Sequence, residues 1–224
     1  MGKSEVYFEE LHDKLKAELD IINEGTKDIL SLAGLCIDAI KNAVSLLKQY
    51  VVENDFSSPE EEIRFFKCIK PKFYSLLVYY GKVYELELNR PAGGKEIEIE
   101  YFKKVEARLY YFYEKYRDFY QYHRAGQTYL DSKYFTRNNE IPISLTLENG
   151  LDSDVNFTTG QDFLIAKILA NEKLKNYLES AVSRLRQENM LAIAPLQTIK
   201  NLTWTASKAS LLELIYGLHT HQGF

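Results

Sequence analysis

Apolar residues along this chain recur every three or four positions rather than every second one, which predicts helices. Phe8, Leu11, Leu15, Leu19 and Ile22 line one face of a first helix that should stop near Gly25. A second is predicted from about Thr26. Its stripe of Ile29, Leu32, Cys36, Ala39, Ile40, Ala43, Leu47, Tyr50 and Val51 is wide enough to bury one face. Ser58-Pro59-Glu60-Glu61 marks a third start, with an N-cap hydroxyl, a proline at the first helical position and a glutamate three residues after the cap. A break is predicted near Lys70-Pro71, because proline disfavours helical geometry in the residue before it, with another helix from Pro71 to about Asn89. Pro91-Ala92-Gly93-Gly94 reads as a turn. The longest stripe follows it: Ile97, Tyr101, Val105, Leu109, Phe112, Tyr116 and Phe119 predict one helix to about Arg124.

From Thr136 to Thr159 neither period is sustained, and a long loop with a short strand at Ile143 to Leu147 is expected. Thr158-Thr159-Gly160-Gln161 can cap the next helix. Leu164, Ile168, Leu174, Leu178 and Leu185 carry that helix to about Gln187. After Pro195 come a short apolar stretch, a helix start at Thr205-Ala206-Ser207 and a buried face of Leu211, Leu214, Ile215 and Leu218. The pattern as a whole predicts an all-α protein, with a multi-helix, bundle-like N-terminal domain over 1–190 and a separate segment over 191–224.

Composition narrows the class. At 224 residues, 46% hydrophobic and 27% charged, the chain is too apolar to be disordered. Its net charge of −4 provides no global basic field for nucleic acid or an anionic membrane. No apolar run approaches the length of a membrane span and Met1-Gly2-Lys3-Ser4-Glu5 lacks an apolar leader, so a cytoplasmic protein that does not engage a membrane is expected. Two cysteines, Cys36 and Cys68, exclude a disulfide framework or a four-cysteine zinc site, and both are expected to be buried in apolar stretches. Charge is uneven: residues 1–159 carry a net −6 and 160–224 a net +2, which makes the C-terminal part the better candidate for approaching phosphates.

No spacing advertises convergent catalytic groups, so neither enzymatic activity nor a cofactor or metal is expected. His219 and His221, two apart, would point to different faces of a helix. Gly93-Gly94-Lys95 lacks the spacing of a phosphate loop, and Glu60-Glu61-Glu62 reads as complement to a helix dipole. Tyr110-Tyr111-Phe112-Tyr113 and Tyr116 to Tyr122, with Arg108, Lys115, Arg117 and Arg124 interleaved, could stack on bases. Core and rim packing is the favoured reading of that run. Lys67, Lys70 and Lys72 read as a solvated basic face.

The wording of three segments adds a resemblance. Phe65-Phe66-Lys67 through Lys70-Pro71-Lys72-Phe73 is one. Tyr122-His123-Arg124-Ala125-Gly126 with Asp131-Ser132-Lys133-Tyr134-Phe135-Thr136-Arg137 is the second. The third, and the most specific, is Leu202-Thr203-Trp204-Thr205-Ala206-Ser207-Lys208 with Leu211-Leu212-Glu213-Leu214-Ile215-Tyr216-Gly217-Leu218. Over most of residues 60–224 the chain resembles the RteC family, regulatory proteins for mobilisation of tetracycline-resistance conjugative elements in Bacteroides.

The resemblance implies a helical N-terminal region followed by a winged-helix-like DNA-binding domain. That domain would begin over 191–224, the segment from Leu202 supplying a short strand and the first helix, with the recognition helix and wing lying further on. It implies a transcriptional regulator of excision genes and no enzyme. Its partner would be double-stranded DNA at the promoter region of those genes, with self-association into a homo-oligomer left open. Lys200, Ser207 and Lys208 are then the candidate phosphate contacts, and Trp204, Leu211, Leu214, Ile215 and Leu218 the anchor of the domain. A helical protein-interaction module without direct DNA binding is the alternative.

Overall fold

The computed structural model describes residues 3–137, 154, 156–199, 207–210 and 212–213, with side chains along the last long helix through 187. Every element among them is helical: α1 (Lys3–Gly25), α2 (Ile29–Glu53), α3 (Pro59–Arg64), a π-turn (Phe65–Ile69), α4 (Lys70–Leu88), α5 (Lys95–Lys115), α6 (Arg117–Arg124), α7 (Asp131–Tyr134) and α8 (Asp162–Ile199). The all-α expectation holds. The strand expected at Ile143 to Leu147 lies outside the described residues. The chain forms two compact units, Met1–Val182 and Ser183–Phe224.

In the first unit α2 packs against α1 and α4. The stripes foretell the inner faces: Phe8, Leu11, Leu15 and Leu19 of α1 are buried, as are Cys36, Ala39, Ile40, Ala43, Leu47 and Val51 of α2. Contrary to the sequence expectation, α2 is by length and composition apolar enough to cross a membrane, its apolar residues outweighing Asp38 and Lys41. Its buried stripe here serves as bundle core. Around Phe65, which is fully buried, the rings of Phe66, Phe8, Phe56 and Phe157 stand at 5.0, 5.2, 5.3 and 6.0 Å between centroids. These tilted and edge-on approaches suit the ring quadrupoles.

The starts are capped as their residues dictate. Asp28 accepts from the amide of Ser31 at 2.8 Å. Ser58 Oγ accepts from Glu61 N at 3.3 Å, while Glu61 Oε2 reaches back to Ser57 N at 2.7 Å. Gly94, with φ of 93°, leads into α5.

Three boundaries differ from expectation. No break occurs at Lys70-Pro71: Lys70 keeps right-handed helical angles and donates its amide to Phe65 O, closing a π-turn. Pro71 then lies in the first turn of α4, where its missing N–H costs little, and the wide turn before it accommodates the ring. The helix expected over Ile97 to Arg124 is two, because Tyr116 leaves helical geometry at φ −109° and ψ 30°. The last helix does not stop near Gln187. Its backbone continues through Pro195 to Ile199.

Helix α6 ends in a Schellman motif. Gly126 takes φ of 63°, Gly126 N donates to His123 O at 3.1 Å and Gln127 N to Tyr122 O at 3.1 Å. The space around Gly126 is open, so only its backbone angle demands glycine. Gly126→Ala should therefore cost about 1–2 kcal/mol in urea unfolding. An unchanged midpoint would show that the turn relaxes without it.

Candidate functional site

The π-turn and the start of α4 send the three lysines of the presumed basic face in different directions, and two of them are not solvated. Lys70 and Asp162 are 4% and 1% exposed, and Lys70 Nζ donates to Asp162 Oδ2 at 2.6 Å. The same ammonium donates to the carbonyl of Phe157. The ring centroids of Phe157 and Tyr74 lie 4.6 and 4.7 Å from it, offering their negative faces. Asp162 Oδ1 accepts from Thr159 N at 3.3 Å and Thr158 Oγ1 at 3.5 Å. The threonines expected as caps thus converge on this carboxylate, and the Gln161 carbonyl accepts from Leu164 N and Ile165 N. Thr159 Oγ1 and Gln161 Oε1 are buried without a hydrogen-bond partner.

Lys67 turns the other way. Its Nζ donates to Asp131 Oδ1 at 2.7 Å, Asp131 Oδ2 at 2.9 Å and Gln127 O at 2.9 Å. Tyr122 Oη donates to Asp131 Oδ1 at 2.6 Å and accepts from Leu130 N at 3.3 Å. Beneath this cluster Phe135 is fully buried. Arg137 closes the next layer. Its Nε donates to Glu62 Oε1 at 2.6 Å and one terminal nitrogen to Asp55 Oδ1 at 2.8 Å, with the guanidinium over the Phe56 ring. Only Lys72 of the three lysines is exposed. The solvated-face reading fails for Lys67 and Lys70 because each has a carboxylate distant in sequence, which lysine spacing cannot reveal.

The aromatic run divides as expected between core and rim. Phe119 and Tyr122 are buried and Phe112, Tyr113, Tyr116 and Tyr120 pack partly against the core, while Tyr110 and Tyr111 stand 68% and 67% exposed. Cys36 is buried, but Cys68, expected to be so, is exposed on the π-turn.

In the second unit Ser207 Oγ accepts from Ser210 N at 3.3 Å, the N-cap geometry that Thr205-Ala206-Ser207 foretold, and 208–210 and 212–213 are helical. Ser207 and Lys208 are exposed, and Leu212 is 58% exposed. Lys200, Trp204, Leu211, Leu214, Ile215, Leu218, His219 and His221 lie outside the described residues. Among those described, no three His, Cys, Asp or Glu residues gather as a metal site.

With this geometry in place, comparison assigns a family. The RteC protein family matches residues 64–224, beginning one residue before the π-turn, and the chain belongs to that family. Membership suggests a regulatory protein of conjugative transposons. No curated protein and no solved structure matches. The match covers the three segments singled out in the sequence, and the first two meet in the Lys67–Asp131 cluster.

Two outcomes follow from the buried polar groups. Lys70→Met leaves the Asp162 carboxylate buried without its cation, so it should cost about 3–5 kcal/mol in urea unfolding, whereas Lys70→Met with Asp162→Leu should recover much of that loss. A single variant as stable as the wild type would show that the pair opens to water.

Burial pushes the phenols of Tyr80 and Tyr113 up to about 12, and burial with the hydrogen bond to Asp131 pushes Tyr122 further upward. All three hold their protons more tightly folded than unfolded. Their contribution is complete below the ordinary tyrosine value near 10 and is lost as pH rises through the folded values. Denaturant midpoints measured from pH 9 to 12 should fall above pH 10. A flat profile would place these hydroxyls in water.

Proposed function

We propose that the protein is a DNA-binding transcriptional regulator controlling the excision and mobilisation genes of a conjugative transposon, acting in the cytoplasm without catalysis or a cofactor. The observation that carries this reading is the family match, which extends through residue 224 and so includes the capped, exposed start at Ser207-Lys208. In this reading the segment that follows α8 opens a winged-helix-like domain. Lys200, Lys208, the Ser207 hydroxyl and the amides of the helix start touch phosphates there, while Trp204, Leu211, Leu214, Ile215 and Leu218 anchor it. Free amides at a helix start favour an anion, and lysines supply point charges. Bases are read by the recognition element of such a domain, not by these contacts.

The test is a competition gel shift of the full-length protein on duplex from the promoter of the excision genes. That duplex should bind at least about a thousandfold more tightly than random sequence. Lys208→Ala should weaken all duplexes alike and reduce the salt slope by about one. Equal binding of promoter and random duplex would overturn the reading. Exposure of the adjacent Tyr110 and Tyr111 on α5 favours the second reading, a helical interaction module. Absence of promoter binding, together with loss of regulation in Tyr110→Ser/Tyr111→Ser, would select it.

A further inference from the structure

Within the first unit a cleft of about 540 Å³ opens between α1, α4 and α8. Each helix contributes one lysine to its lining, Lys16, Lys72 and Lys173, and one leucine, Leu19, Leu76 and Leu169. Three other lysines of this unit are paired, Lys48 with Asp154, Lys67 with Asp131 and Lys70 with Asp162. Lys16, Lys72 and Lys173 have no ion pair among the described residues, although Asp20 and Glu172 share the lining. Glu172 also bears on Tyr113 and His123, of α5 and α6.

His12, half-buried at the edge of the cleft, shows the convergence of the three cations. Its own burial first, then Lys72 and Lys16 and more weakly Lys173, hold its imidazole below the ordinary histidine value against the opposing pull of Asp13. Lys16, Lys72 and Lys173 reach this lining from three helices against the two carboxylates Asp20 and Glu172, a positive balance that favours an anion between them.

We propose that this cleft is a binding site for a small phosphate monoester with an apolar body. A planar carboxylate is best matched by the fork of an arginine. Ammonium groups act as point charges and suit a compact dianion approached from several sides. The three leucines and the half-buried Tyr80 ring give the organic part apolar surface, and the volume falls within the usual range for small-molecule sites, which bundles form between their helices. This inference does not rest on DNA binding. Lys72, the exposed member of the three lysines at the π-turn, acquires a role that the other two, committed to structure, cannot have.

Phenyl phosphate is the probe, titrated calorimetrically into the full chain, with inorganic phosphate, phenol and benzoate as comparisons. Phenyl phosphate should bind saturably at one site and more tightly than the other three, which lack the body, the charge or the tetrahedral head. Lys72→Ala with Lys173→Ala should weaken it by at least about tenfold, since each removes a charge-assisted contact. Both side chains are exposed and without an ion pair among the described residues, so the unliganded double variant should melt no lower than the wild type. Amide shifts at Lys16, Leu76 and Leu169 in the NMR spectrum should move together with saturation. No saturable binding, phenol or benzoate binding as tightly as phenyl phosphate, or full affinity in the double variant would each overturn the proposal.

Discussion

An ammonium group withdrawn from water costs several kcal/mol unless protein atoms replace its hydration shell, and Lys70 is 4% exposed in the middle of the first unit. What surrounds it organises the fold. The Phe157 carbonyl and Asp162 accept its hydrogen bonds, and the Tyr74 and Phe157 rings occupy the remaining directions. Asp162 begins α8, and Phe157 belongs to the segment just before it. The lysine therefore fixes where the longest helix starts and pins the preceding chain against the π-turn. Thr158 and Thr159 complete the shell through Asp162.

The π-turn makes this arrangement possible. Adding a residue to the turn shifts the face presented by the helix after it, so Lys67 and Lys70, three apart, do not share one exposed stripe. Lys67 reaches α7 through Asp131, Lys70 reaches α8 through Asp162, and Lys72 remains at the cleft. Each ion pair joins residues more than sixty positions apart. Proline 71 is compatible with this geometry because the preceding turn is already wider than an α-turn.

Much of the bundle could be read from the chain. The apolar stripes of α1, α2 and α8 identify their buried faces, and Ser58 with Glu61 announces the start of α3. Such features depend on residues within one or two turns of each other. The errors lay where distant partners decide: the ion pairs of Lys67 and Lys70, and the passage through Pro71. Tyr116, whose position suits the helical period, could not reveal that its backbone bends. Arg137 is similar. It ties Asp55 and Glu62, on either side of the start of α3, to the end of the second family-like segment, and no local pattern marks it. The cleft lysines come from three helices and form no motif in sequence order.

The two cysteines differ sharply in access. Cys36 is sealed in the face of α2, whereas Cys68 is exposed on the π-turn and borders a smaller hollow shared with His12 and Lys72. In the first unit a thiol-directed fluorophore therefore has one open attachment point, on the turn that separates the three lysines and beside the residues of the larger cleft. Without any engineered cysteine, a single maleimide label makes that turn optically addressable in the native chain.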